Sequence, residues 1–84
     1  MLNQNYPNPF NPTTNISYSL VNSVKVTLKI YDVLGNLIQT LVNEQQSAGN
    51  HEINFSGTNL ASGLYIYRIQ AGSFTQQKKM ILLK

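Results

Sequence analysis

The chain has 84 residues, 42% hydrophobic and only 11% charged, with net charge +3 and no cysteine. That length holds one domain, which buries roughly 60–65% of its unfolded surface and must be held by packing, since small exported domains otherwise lean on disulfides. The balance excludes a disordered chain, and six Lys/Arg, half of them at Lys78, Lys79 and Lys84, are too few and too clustered for a general nucleic-acid reader.

The first element is N-Y-P-N-P-F-N-P-T-T at 5–14. Prolines at 7, 9 and 12 forbid a helix, and each residue before a proline is pushed toward extended geometry. A stiff strap is predicted, carrying two aromatic anchors, Tyr6 and Phe10. Such a strap would also blunt an edge strand, because proline cannot extend a ladder. A short strand, Ile16 to Leu20, follows. Val24, Val26, Leu28 and Ile30 then alternate with Lys25, Thr27, Lys29 and Tyr31, the pattern of a half-buried strand. Asp32 to Asn36 is a turn in which Gly35 and Asn36 tolerate positive φ. Leu37 to Val42 is a strand of ambiguous facing. Ile38 and Leu41 share an inward face only if a bulge separates them.

Ala48-Gly49-Asn50 predicts the next turn. His51, Ile53 and Phe55 then alternate with Glu52 and Asn54. Ser56 to Asn59 breaks the chain, and Leu60-Ala61-Ser62 has room for one helical turn. Leu64 to Gln70 places Tyr65, Tyr67 and Ile69 on one side, and Ala71-Gly72-Ser73 turns into a last strand from Phe74 to Leu83. Six strands, or seven if the strap pairs, with turns every ~8–12 residues describe a sandwich of two antiparallel sheets. The expected core is Ile16, Tyr18, Val26, Leu28, Ile30, Ile53, Phe55, Tyr65, Tyr67 and Ile69.

The chemical inventory argues against an enzyme. There is one histidine, His51, and three acids, Asp32, Glu44 and Glu52. Glu52 follows His51, so on a strand the two face opposite sides. Neither a zinc nor a calcium ligand pattern occurs, nor a phosphate-binding glycine loop. Catalytic, metal and cofactor residues are therefore expected to be absent. No apolar run approaches the ~18 residues of a membrane span. No export signal opens the chain. Met1 is read as an added start on a segment from the middle of a longer protein, with residues 1–84 forming a single C-terminal domain.

N-Y-P-N-P-F-N-P-T-T at 5–14, I-Y-D-V-L-G at 30–35, A-G-N-H at 48–51, L-A-S-G-L-Y at 60–65 and K-K-M-I-L-L-K at 78–84 occur in one order. Together they resemble the type IX secretion C-terminal sorting domain, type A, over Leu2 to Lys84. The pattern is also similar to immunoglobulin-like domains of flagellar hook-capping proteins. The resemblance implies an all-β, immunoglobulin-like antiparallel sandwich that acts as an address and catalyses nothing. Its implied partners are an outer-membrane translocon, a sortase-like processing enzyme and an N-terminal cargo domain. The implied destination is the cell surface of a Gram-negative bacterium, reached through the periplasm.

Pro7, Asn8 and Pro9 match the family's P-N-P element, Gly63 and Tyr65 its G-x-Y element, and Lys78, Lys79 and Lys84 its terminal lysine-rich element. For Gly63 and Tyr65 a structural role is favoured over contact. For the lysines, a basic and exposed terminal strand favours recognition by strand addition. The alternatives are an accessory carbohydrate-binding domain, which predicts an exposed aromatic row, and a structural immunoglobulin-like domain, which predicts an apolar patch and self-association.

Overall fold

The computed structural model covers Met1–Lys84. Six strands form: β1 Thr13–Leu20, β2 Val24–Asp32, β3 Leu37–Gln46, β4 Gly49–Ser56, β5 Gly63–Ala71 and β6 Phe74–Leu82. β1 and β4 make one antiparallel sheet, and β3-β2-β5-β6 make the other, so the predicted immunoglobulin-like sandwich is the observed one. Period-two patterning explains the layers. Ile16, Tyr18 and Leu20 of β1 and Phe55 of β4 meet Val26, Leu28 and Ile30 of β2 and Tyr65, Tyr67 and Ile69 of β5. Met80 and Leu82 of β6 complete that side.

The strap does more than cover an end. Its first part, together with the residues before it, runs antiparallel along the free edge of β1, with Asn3 N donating to Ser17 O at 3.0 Å and Tyr6 N to Asn15 O at 3.0 Å. Its second part runs parallel to β6, with Phe10 N donating to Ile81 O at 2.9 Å and Leu83 N to Phe10 O at 3.0 Å. One segment thus closes an edge of each sheet. All three X-Pro bonds in it are cis.

Several expectations need correction. Tyr6 is not an anchor: it is 81% exposed, and Leu2 takes the second buried place beside Phe10. Leu2 precedes the prolines, where no periodic frame marks it. Ile53 is only half-buried, because β4 is an edge strand of a narrow sheet. In β3 the register skips Leu41 and Ile38, so two bulges exist. They bring Val42 into the core, leave Leu41 half-buried and leave Ile38 exposed. No helical turn forms at Leu60–Ser62. The tight turn lies just before it, over residues 57–60, with Leu60 N donating to Gly57 O at 2.9 Å. The third turn lies at Ser47–Ala48, and Gly49 already belongs to β4. Asn36 does not have positive φ; Gly35, at 85°, takes that conformation alone.

Candidate functional site

The matching motifs are best understood by what each side chain bonds. In the P-N-P element, the Pro7 carbonyl accepts from Asn5 Nδ2 at 3.1 Å and from Thr14 Oγ1 at 2.9 Å. Asn8 Oδ1 accepts from Ile81 N at 3.0 Å. The rings of Pro7 and Pro9 lie on the surface. Asn8 Oδ1 thus takes the place of a neighbouring strand's carbonyl and satisfies the Ile81 N–H.

Asn5 and Thr14 were not singled out in the sequence, yet they are buried polar residues at the centre of the clasp. Asn5 Nδ2 also donates to Thr14 Oγ1 at 3.0 Å, and Asn5 N donates to the Tyr67 hydroxyl at 2.8 Å. That hydroxyl donates in turn to Asn3 O at 2.7 Å. Burial pushes the Tyr67 phenol up to about 12, against the lowering effect of the Asn5 amide. The signal for these residues was weak: short polar side chains flanking a donor-poor proline run.

The G-x-Y element is a corner. Gly63 has φ 152°, a conformation that a side chain rarely adopts. Tyr65, at the start of β5, turns back to donate its hydroxyl to Ala61 O at 2.7 Å. This is the tyrosine corner of immunoglobulin-like sandwiches, where a tyrosine near the start of a core strand ties down the loop before it. Tyr65→Phe keeps the buried ring and loses one bond. An equilibrium denaturation should show a loss of about 0.5–1.5 kcal/mol, and a loss beyond ~3 kcal/mol would contradict this account.

The I-Y-D-V-L-G element is a turn built on one carboxylate. Asp32 Oδ1 accepts from Asn36 N and Leu34 N, both at 2.9 Å, and Oδ2 accepts from Asn36 Nδ2 at 3.1 Å. Those bonds, the Asn36 amide first, hold the Asp32 carboxyl below its ordinary value. In A-G-N-H, His51 stacks on Tyr18 at 5.4 Å, and its Nε2 donates to Ser47 O at 2.7 Å. It is a rim histidine, as expected for an imidazole on a strand facing the core.

The three lysines do not converge. Lys78 is half-buried on the inward side of β6 with Met80, whereas Lys79 points outward. Lys84 reaches the β4–β5 connection, donating Nζ to Thr58 O at 2.6 Å and its amide to Ser62 Oγ at 3.0 Å. Nor is the last strand free for strand addition over its C-terminal half. The strap takes Ile81 N, Ile81 O and Leu83 N, and Gln4 Nε2 takes Lys79 O at 2.7 Å. A partner strand would first have to displace the strap.

No group of His, Cys, Asp and Glu is placed to hold a metal ion. The largest concavity, about 560 Å³, lies between the β1–β2 turn and the β5–β6 hairpin and is lined by Leu20, Val21, Val24 and Phe74, among others. It has no carboxylate or imidazole in its wall. Phe74, beside it, and Tyr6, on the strap, are the two most exposed aromatic side chains and lie on different segments, so no aromatic row forms. No helix is long and apolar enough to cross a membrane.

The profile of the secretion system C-terminal sorting domain matches residues 4–83. The chain belongs to the type IX secretion C-terminal sorting family. Comparison with curated protein sequences found no match. Among solved structures the sorting domain is similar to part of PorZ, described as an essential bacterial surface component of the type-IX secretion system of human oral-microbiomic Porphyromonas gingivalis. The TM-score is 0.69 over 96% of this chain at 17% identity, a likeness of fold, and the chain spans 11% of the length of PorZ. The sorting-domain family is not an enzyme family.

Proposed function

We propose that this domain is the address that carries an N-terminal cargo through the type IX outer-membrane translocon. The cargo then remains on the cell surface or is released, with a sortase-like enzyme as the processing partner. The observation that carries this reading is the family match across nearly the whole chain. The geometry supports a specific form of it. Pro7, Asn8, Pro9, Gly63 and Tyr65 spend their polar groups and backbone conformations on holding the strap and the β5 corner. The translocon therefore reads the folded sandwich and not a linear peptide.

The test is export of a fluorescent passenger fused ahead of residues 2–84, in a host with and without the type IX machinery. Surface or medium fluorescence should depend on both the domain and the machinery. Equal export in the two hosts, or retention in both, would remove the sorting reading. Deleting residues 78–84 is a poor probe of the lysines, because it also strips Met80 and Leu82 from the core. Point substitution of Lys79 is the informative change.

A further inference from the structure

The outward face of the four-stranded sheet is unlike the rest of the surface. Across it, Leu37 lies opposite Tyr31, Tyr31 opposite Ile66, and Ile66 opposite Lys79. In the neighbouring row Leu64 lies opposite Ile81. Leu37, Leu64 and Ile81 are 52%, 37% and 41% exposed. An apolar centre therefore sits on a sheet face that nothing in the chain covers.

Charge on this face has one sign. Lys25, Lys29, Arg68 and Lys79 all project from it, four of the six Lys/Arg in the chain. No carboxylate joins them. Asp32 is turned into its own loop, Glu44 lies opposite inward-facing Val26, and Glu52 belongs to the other sheet. Lys29 and Arg68 are directly opposite each other, an arrangement that costs stability in a sheet. Arg68 is eased by stacking 4.7 Å over the Tyr31 ring and by donating Nε to Gln77 Oε1 at 3.1 Å. Lys29 has no such relief. A destabilising like-charge pair beside an uncovered apolar centre has the anatomy of an interface, with an apolar core and a polar rim.

We propose that this face is the surface by which the domain is held by its partner, and that the partner is a protein presenting apolar side chains ringed by carboxylates. The proposal rests on the sorting reading and deepens it by naming the face and the partner's chemistry. Charge complementarity decides the occupant. A second copy of this chain would bring four more cations against these four, whereas carboxylates relieve the Lys29–Arg68 repulsion on docking. An anionic lipid surface would meet the same cations and aliphatic groups, and vesicle binding separates it from a protein partner.

The experiment uses the passenger fusion with Lys29→Gln, Lys29→Glu paired with Lys79→Glu, and Leu64→Ser paired with Ile81→Ser. Glu52→Lys on the opposite sheet is the control. Lys29→Gln should melt no lower than the parent, because it removes a repulsion, and yet lower export. The charge-reversed pair should lower the export rate about tenfold or more, and Glu52→Lys should leave it unchanged. If the parent fusion fails to depend on the machinery, the sorting reading falls. If the parent succeeds and the folded face variants export equally well, the assignment of this face falls while the sorting reading stands. Loss of export by Glu52→Lys to the same degree would also overturn it. So would self-association of the purified domain that the face variants abolish, or binding of the parent to phosphatidylglycerol vesicles at about 0.15 M salt.

Discussion

Phe10→Ala is expected to cost the domain about 3–5 kcal/mol, while Tyr6→Ala on the same strap changes stability by less than about 0.5 kcal/mol. The Phe10 ring is fully buried, meets Phe55 edge-on at 6.1 Å and 62°, and packs over Gly57 and Leu82. The space is tight: a Cβ on Gly57 would stand 2.8 Å from Leu82 Cδ2 and 3.4 Å from Phe10 Cε2. Truncating the ring leaves a cavity that such a close-fitted wall cannot collapse into. It also loosens the backbone that closes the edge of β6. For a domain of this size, 3 kcal/mol corresponds to a fall of more than about 12 °C in Tm, readable by circular dichroism. Because net stability is commonly ~5–15 kcal/mol, the variant should be near its folding limit, and any export defect in it reports lost folding. Equal Tm changes for the Phe10 and Tyr6 variants would refute the assignment of Phe10 as the anchor.

The second large effect belongs to Tyr67. Tyr67→Phe keeps the ring and deletes the hydroxyl that accepts from Asn5 N and donates to Asn3 O. The buried Asn5 amide then has no partner, a loss of about 1–3 kcal/mol. Hydrogen exchange at Asn3, Asn5 and Tyr6 should quicken before exchange in β2 and β5, because the strap loosens first. The same hydroxyl makes stability depend on pH in the alkaline range. Its pKa is raised from 10.0 in the free side chain to about 12 in the folded domain. Between those values the unfolded chain releases the proton first, so the folded state binds more protons and stability falls as pH rises. The contribution is complete below the lower value and gone above the upper one. Tyr18, also raised, chiefly by burial, adds to the fall. Melting followed across that window should show a smaller drop in Tyr67→Phe than in the parent. An identical drop would mean the phenol titrates unperturbed.

The strands and their inward faces were legible because period-two alternation is local. Val26, Leu28 and Ile30 can be assigned to one face from spacing alone, and so can Tyr65, Tyr67 and Ile69. The same alternation runs through Ile16, Tyr18 and Leu20, and through Met80 and Leu82, so those later members were available to the same reasoning. Sequence order and spacing of the motifs also pointed to the sorting family. Which groups each motif bonds was not legible. Asn5 meets Tyr67, Asn8 meets Ile81, and Tyr65 meets Ala61 only after the chain has folded. Their roles depend on which backbone groups are left unpaired, and a linear pattern does not say that.

By itself, then, the sequence determined a disulfide-free, all-β sandwich. Apolar alternation and the residue inventory suffice for that. Only the tertiary structure decided that Leu2, and not Tyr6, joins Phe10 as an anchor, that the strap closes an edge of each sheet, and that the terminal lysines diverge. It also gathered Lys25, Lys29, Arg68 and Lys79 onto one face. The physical reason is that burial along a strand is set by near neighbours in the chain. Edge closure and surface charge patterns are set by cross-strand register, which joins residues far apart in sequence.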